Sequence, residues 1–160
     1  MGINRFIKKA ASAGVSGLII PDLTPGADEG LYEAGRKVGM AVVPVVVPGI
    51  PDTRLDEILS EQPEWIYLAL RSGITGSYTE LDEENLGFID RLKAYDVKVM
   101  AGFGIRSPGQ VSMLQPHSDA AIAGSFIVDS LTKACKTLDN GTSLRDTAAE
   151  AVRYLIGEQE

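Results

Sequence analysis

Trp65-Ile66-Tyr67-Leu68-Ala69-Leu70-Arg71-Ser72-Gly73-Ile74-Thr75-Gly76-Ser77-Tyr78 is the stretch that decides the fold. Its first six residues are an apolar, β-prone run with no alternation. The polar, glycine-bearing segment from Arg71 follows without a helix break. A strand buried in a parallel sheet that gives way to a ligand-facing loop has this form. Two more glycine turns follow strand-like runs, at Gly102-Phe103-Gly104 and at Gly124-Ser125. In a parallel sheet all three leave the same rim, where such folds bind their ligands.

Outward from that stretch, apolar runs alternate with helical periodicity. Ile3, Phe6, Ile7 and Ala10 share a face of a helix over 3–13 that Gly14 can end. Val15 to Asp22 reads as a strand that Pro21 stops pairing. A helix follows from Asp28 to Val38. Met40 to Val47 is β-branched and continuous, which predicts burial on both faces, with Pro44 interrupting its pairing. Thr53 and Asp56 resemble a capping box for a helix through Leu59. Further helices are expected over 82–95, from Ser107-Pro108 to Leu114, from Ser125 to about Ala134, and over 144–156. Strands are expected at 65–70, 97–101 and 120–123. Strand centres near 19, 44, 67, 99 and 121 make five βα units, read as one α/β domain over 1–160.

Composition narrows the partners. The chain has 160 residues, a net charge of −7 and no basic block. Nucleic acid and anionic membranes are therefore poor partners. One cysteine, Cys135, precludes an internal disulfide and points to a reducing cytoplasm. One histidine, His117, with no clustered cysteines gives no metal site, and no cofactor is expected. His117 reads as solvated, Cys135 as packing and Trp65 as core.

A closed barrel of eight βα units needs about 250 residues. Five units leave two readings. One is a complete open, doubly wound sheet. The other is the back five-eighths of a barrel, with two bare edges that invite pairing.

Five segments carry a specific resemblance. They are Gly2-Ile3 with Phe6; Ile20-Pro21-Asp22-Leu23; Tyr67 with Arg71-Ser72-Gly73-Ile74-Thr75-Gly76; Gly102-Phe103-Gly104-Ile105 with Ser107-Pro108 and Gln110-Val111; and Ala123-Gly124-Ser125 with Ile127-Val128. In order and spacing the chain resembles the tryptophan synthase α subunit along essentially its whole length. That resemblance implies a partial (β/α)8 TIM barrel, with five parallel strands alternating with helices and the first three units missing. It implies a lyase that cleaves indole-3-glycerol phosphate to indole and glyceraldehyde 3-phosphate and hands indole to a pyridoxal-phosphate β subunit. Gly76, Gly104, Gly124 and Ser125 would bind the substrate phosphate, with Ser125 at a helix N-terminus. Tyr67 and Phe103 would contact substrate, and Thr75 would help close the loop. The family's catalytic glutamate and aspartate lie on strands absent from this chain, so no catalytic residue is assigned, and Asp22 is not one of that pair. Proton transfer at the ring and at the glycerol hydroxyl needs them.

Three functions remain open at this point: a lyase domain that is weak or inactive alone, a phosphate-ligand-binding or β-subunit-docking module, and a half-barrel that self-associates.

Overall fold

The computed structural model describes residues 1–70, 81, 83–102, 104–137 and 143–158. Helices and strands alternate: α1 (Ile3–Ser12), β1 (Gly17–Ile19), α2 (Leu31–Lys37), β2 (Ala41–Val43), β3 (Val45–Val46), α3 (Asp52–Ser60), β4 (Trp65–Ala69), α4 (Glu83–Lys93), β5 (Lys98–Gly102), α5 (Pro108–Leu114), β6 (Ala120–Ile122), α6 (Ser125–Thr137) and α7 (Leu144–Ile156). Every strand pair is parallel.

Pro44 divides the expected strand at 40–47 because it has no N–H to give a ladder. β2 pairs with β1, Gly17 opposite Ala41 and Ile19 opposite Val43. β3 pairs with β4, Val45 opposite Tyr67 and Val46 opposite Leu68. Across the break the Pro44 carbonyl still accepts the Tyr67 N–H at 2.9 Å. One length of chain thus joins two sheets, and the strand order runs from β1 to β6 without a reversal. A doubly wound sheet reverses at its switch point; a barrel does not. The topology is that of a partial (β/α)8 barrel.

The two faces of the sheet differ. On the helix side Val46, Ile66, Leu68, Val99 and Ala101 are at most 1% exposed, packed with Leu55, Ile58, Ile89, Leu92 and Leu114 from the helices. A smaller cluster joins Ile7, Leu31, Ala34 and Met40 under α1 and α2. On the concave side Val43 is buried, Val45, Trp65, Tyr67 and Met100 are half-buried, and Ile19 and Ile122 are exposed. Burial on both faces, expected for 40–47, is met only in part: Val43 on the concave side and Val46 on the helix side are buried, Val42 and Val45 are half-buried, and Val47 is exposed. The six strands keep one order, and among the described residues no strand pairs with β1 or β6 on its outer side.

Local details also depart from expectation. α2 starts at Leu31 and not at Asp28, because Glu29 and Gly30 take left-handed backbone (φ 52° and 82°). The Asp28 carboxylate instead accepts the Tyr32 N–H at 2.9 Å. The Thr53–Asp56 capping box does not form. α3 begins at Asp52 with Pro51 at its N-cap, so Thr53 already lies inside the first turn. The Ser107 cap is present as a full capping box with Gln110. Gly14 ends α1 at φ 85°.

Candidate functional site

Register sets the site. Ala69 pairs with Gly102, and Gly102 with Ile122, so β4, β5 and β6 end at one level. Gly104 and Gly124 each stand two residues beyond a paired position, and β4 ends at the same height. Neighbouring strands lie about 4.8 Å apart, so the three exits span about 10 Å of the C-terminal rim. Thr75, Gly76 and Phe103, expected at this site, lie outside the described residues.

The turn after β5 is held from within. Gly104 has φ 86°, a left-handed conformation that favours glycine. Buried Gln110 donates its Nε2–H to the Gly104 carbonyl at 3.3 Å. Its Oε1 accepts the N–H groups of Arg106 at 2.8 Å and Ser107 at 3.1 Å. Those two amides are thus engaged by the protein itself. Arg106 reaches Asp129 of α6 at 2.6 Å and ties the two rim elements together.

The turn after β6 is open. A Cβ on Gly124 would meet nothing within 4 Å. The first bond of α6 runs from the Val128 N–H to the Gly124 carbonyl at 3.1 Å. The N–H groups of Ser125, Phe126 and Ile127 have no acceptor inside the helix, and they stand at the positive end of its dipole. Such a terminus suits an anion.

Tyr67 comes next to these turns by way of Gly102. A Cβ on Gly102 would lie 2.5 Å from the Tyr67 Oη, 3.0 Å from its Cζ and 3.0 Å from the Ile122 Cβ. The phenol therefore lies across the backbone of Gly102, and burial raises its pKa above the ordinary value of 10. Gly102, Gln110 and Ile122 are site-shaping residues that motif reading passes over. Gly102 reads as one more turn glycine, and its demand for space depends on a neighbour 35 positions away in sequence.

Other expectations resolve elsewhere. His117 is not simply solvated: its Nδ1 lies 2.8 Å from the Asp90 Oδ1. Cys135 is exposed, not packed, because α6 turns that position outward. Trp65 is half-buried, with the Lys98 ammonium 5.2 Å above its ring. Asp22 is exposed beyond β1. Among the described residues no three acidic, histidine or cysteine side chains converge on a metal site, and no helix is long and apolar enough to cross a membrane. Two grooves lie away from the rim. One of about 770 Å³ runs along α1, and one of about 440 Å³ lies at the N-terminal ends of β2 and β4. Neither joins two of the turn glycines.

Similar proteins have this arrangement of segments. The chain is 35% identical over 147 residues to the tryptophan synthase alpha chain of Methanocaldococcus jannaschii, covering 91% of this chain and 51% of the relative. It is 35% identical over 128 residues to that of Dehalococcoides mccartyi, covering 79% and 50%. The chain thus spans about half the length of these curated relatives. Among solved structures, it is similar to the tryptophan synthase α2β2 complex from Pyrococcus furiosus, with a TM-score of 0.80, 26% identity, and 98% and 61% of the two chains covered. Tryptophan synthase from Mycobacterium tuberculosis gives a TM-score of 0.80 at 26% identity, covering 98% and 56%. The sequence pattern described as "Tryptophan synthase alpha chain" matches residues 1–154, and the chain belongs to that family.

Proposed function

We propose that this chain is the phosphate-gripping portion of a tryptophan synthase α-type lyase, binding indole-3-glycerol phosphate and glyceraldehyde 3-phosphate in the cytoplasm. The observation that carries the reading is the shared level of the β4, β5 and β6 exits, with the α6 N-terminus opening into free space at Gly124. The phosphate would sit against the first-turn amides of α6, held by Ser125 and Gly124, with Gly104 and Gly76 closing the other side. Tyr67 and Phe103 would meet the indole or its glycerol arm, and Thr75 would help shut the loop over it. Carbon–carbon cleavage also needs the family's glutamate and aspartate, which no residue of this chain supplies. The chain alone binds the ester and turns it over weakly or not at all. A β-type subunit is the expected partner, as in the α2β2 complex from Pyrococcus furiosus.

The test measures glyceraldehyde 3-phosphate binding by calorimetry and indole release from indole-3-glycerol phosphate, on the same preparation. Binding without release is the expected result. Release at the rate of a full-length α subunit would overturn the missing-carboxylate account, and absence of binding would overturn the site. Gly104→Asp brings a carboxylate beside the anion and should weaken binding at least tenfold. Gly104→Asn tolerates the same left-handed backbone without the charge and should cost much less. Equal losses in the two variants would remove that turn from the phosphate site.

A second reading rests on β1 and β6, the outer strands among the described residues. The chain would then be a ligand-binding or β-subunit-docking half-barrel that pairs with another copy of itself.

A further inference from the structure

We infer that Arg106 sets the affinity of the rim for a doubly charged phosphate, by masking the Asp129 carboxylate that stands beside the site on α6. The inference rests on the phosphate reading above and adds a positioning residue to it. Arg106 acts through Asp129 and not by touching the ester.

Asp129 is the one acidic residue among the thirteen of α6. It stands four positions after Ser125, so the two share a face of the helix with their Cβ atoms about 6 Å apart. Its Cα–Cβ bond tilts towards the helix N-terminus, the end that would hold the phosphate. A carboxylate there has two opposed effects. It favours the helix, because negative charge suits the positive end of the dipole. It opposes a phosphate monoester, which brings about −1.5 to −2 charges to the same end at pH 7. The two anions would lie within roughly 8 Å, where physiological salt screens them only in part. The chain as a whole carries −7, so its general field does not draw an anion in, and local compensation has to do so.

Arg106 supplies that compensation. Its Nη2–H donates to the Asp129 Oδ2 at 2.6 Å. The two side chains are 27% and 49% exposed, so the pair is partly withdrawn from water and less screened than a free surface pair. The root of the arginine is fixed as well. Its N–H bonds the Gln110 Oε1 at 2.8 Å, two residues beyond Gly104. The side chain therefore spans from the turn after β5 to the first turns of α6, the two elements whose glycines would flank the phosphate. With the pair intact, the α6 amides offer a positive end with its nearest carboxylate neutralised. With the arginine charge gone, the same end carries a bare anion.

A strap that only held α5 and α6 together would need both partners alike. A mask gives the two partners opposite effects, and calorimetric titration of the whole chain with glyceraldehyde 3-phosphate reads the sign. Arg106→Gln keeps a hydrogen-bonding reach towards Asp129 without the charge. It should raise the dissociation constant about tenfold at low salt, and by less at high salt. Arg106→Lys should recover most of the affinity. Asp129→Asn should tighten binding about threefold, which a damaged fold cannot do. The double variant Arg106→Gln, Asp129→Asn should return to within about twofold of the unmodified chain. Weaker binding by Asp129→Asn, or a double variant no better than Arg106→Gln alone, overturns the mask in favour of a strap. Affinity unchanged in both single variants also overturns it and leaves the phosphate reading standing. No binding by the unmodified chain overturns that reading and this inference together.

Discussion

Gly102 and Tyr67 act as one unit. The ring of Tyr67 lies where a side chain on Gly102 would go, and Ile122 closes the other side at 3.0 Å. Gly102→Ala should therefore destabilise the fold by about 1–3 kcal/mol, the usual cost of overpacking. Removing the ring in Tyr67→Ala makes the room, so the double variant should fall short of additivity by about 1 kcal/mol in denaturant unfolding. Additive losses would mean the two residues do not press on each other. Tyr32 offers a second residue-scale test, at the other end of the sheet. Burial, then the Asp28 carboxylate, pushes its phenol up to about 12 from 10. The folded state thus holds the proton while the unfolded chain releases it above pH 10. The stabilisation is full below pH 10 and is lost as pH rises towards 12. The loss should be about 2–3 kcal/mol. Tyr32→Phe should flatten most of that slope, leaving the smaller part due to Tyr67, and an unchanged slope would exclude Tyr32 as its source.

At the scale of elements, α5 shows how a helix start fixes a rim turn. Ser107→Ala removes a cap and should cost about 1 kcal/mol. Gln110→Ala should cost more, about 2–3 kcal/mol, because it strands the half-buried amides of Arg106 and Ser107 and frees the Gly104 carbonyl. Thermal melts of the two variants check the order, and a Gln110 variant no worse than the Ser107 variant would contradict the clamp. The cap was legible in the sequence because a Ser-Pro pair marks a helix start by local chemistry alone. The strands were legible for a similar reason, as runs such as Trp65–Leu70 have no helical period. What the sequence hid is non-local. Thr53 and Asp56 have the spacing of a capping box, but Pro51 caps α3 two residues earlier and takes the position from them. Pro44 announces an interruption, yet not that β2 and β3 pair on opposite sides of the break. The convergence of Gly104 and Gly124 follows from reading the sheet as parallel, but its physical basis, the Gly102–Ile122 register, exists only once the strands pair.

At the scale of the molecule, the break at Pro44 separates two bodies of unequal strength. The larger core holds thirteen buried side chains from Val46 to Leu114. The smaller holds Ile7, Leu31, Ala34 and Met40, with half-buried Ile3, Phe6, Leu18 and Val42 around it. Its sheet has two strands of three residues each, a pairing that is marginal unless packed against helices. Among the described residues, the Tyr67–Pro44 bond and the chain itself carry the β ladder across the junction. Local opening should then begin at the N-terminal end. In native-state hydrogen exchange the amides of Leu18 and Val43 should exchange at least tenfold faster than those of Ile66, Leu68 and Met100, a gap of about 1.4 kcal/mol or more. Pro44→Ala gives a second reading, because it returns a donor opposite Trp65 and lets the ladder run unbroken. Protection at Val43 should rise towards that at Ile66, provided the new residue keeps the strand conformation. Equal protection across both sheets in the unmodified chain would show that the small cluster is held as firmly as the large one, and the division at Pro44 would be geometric without being energetic.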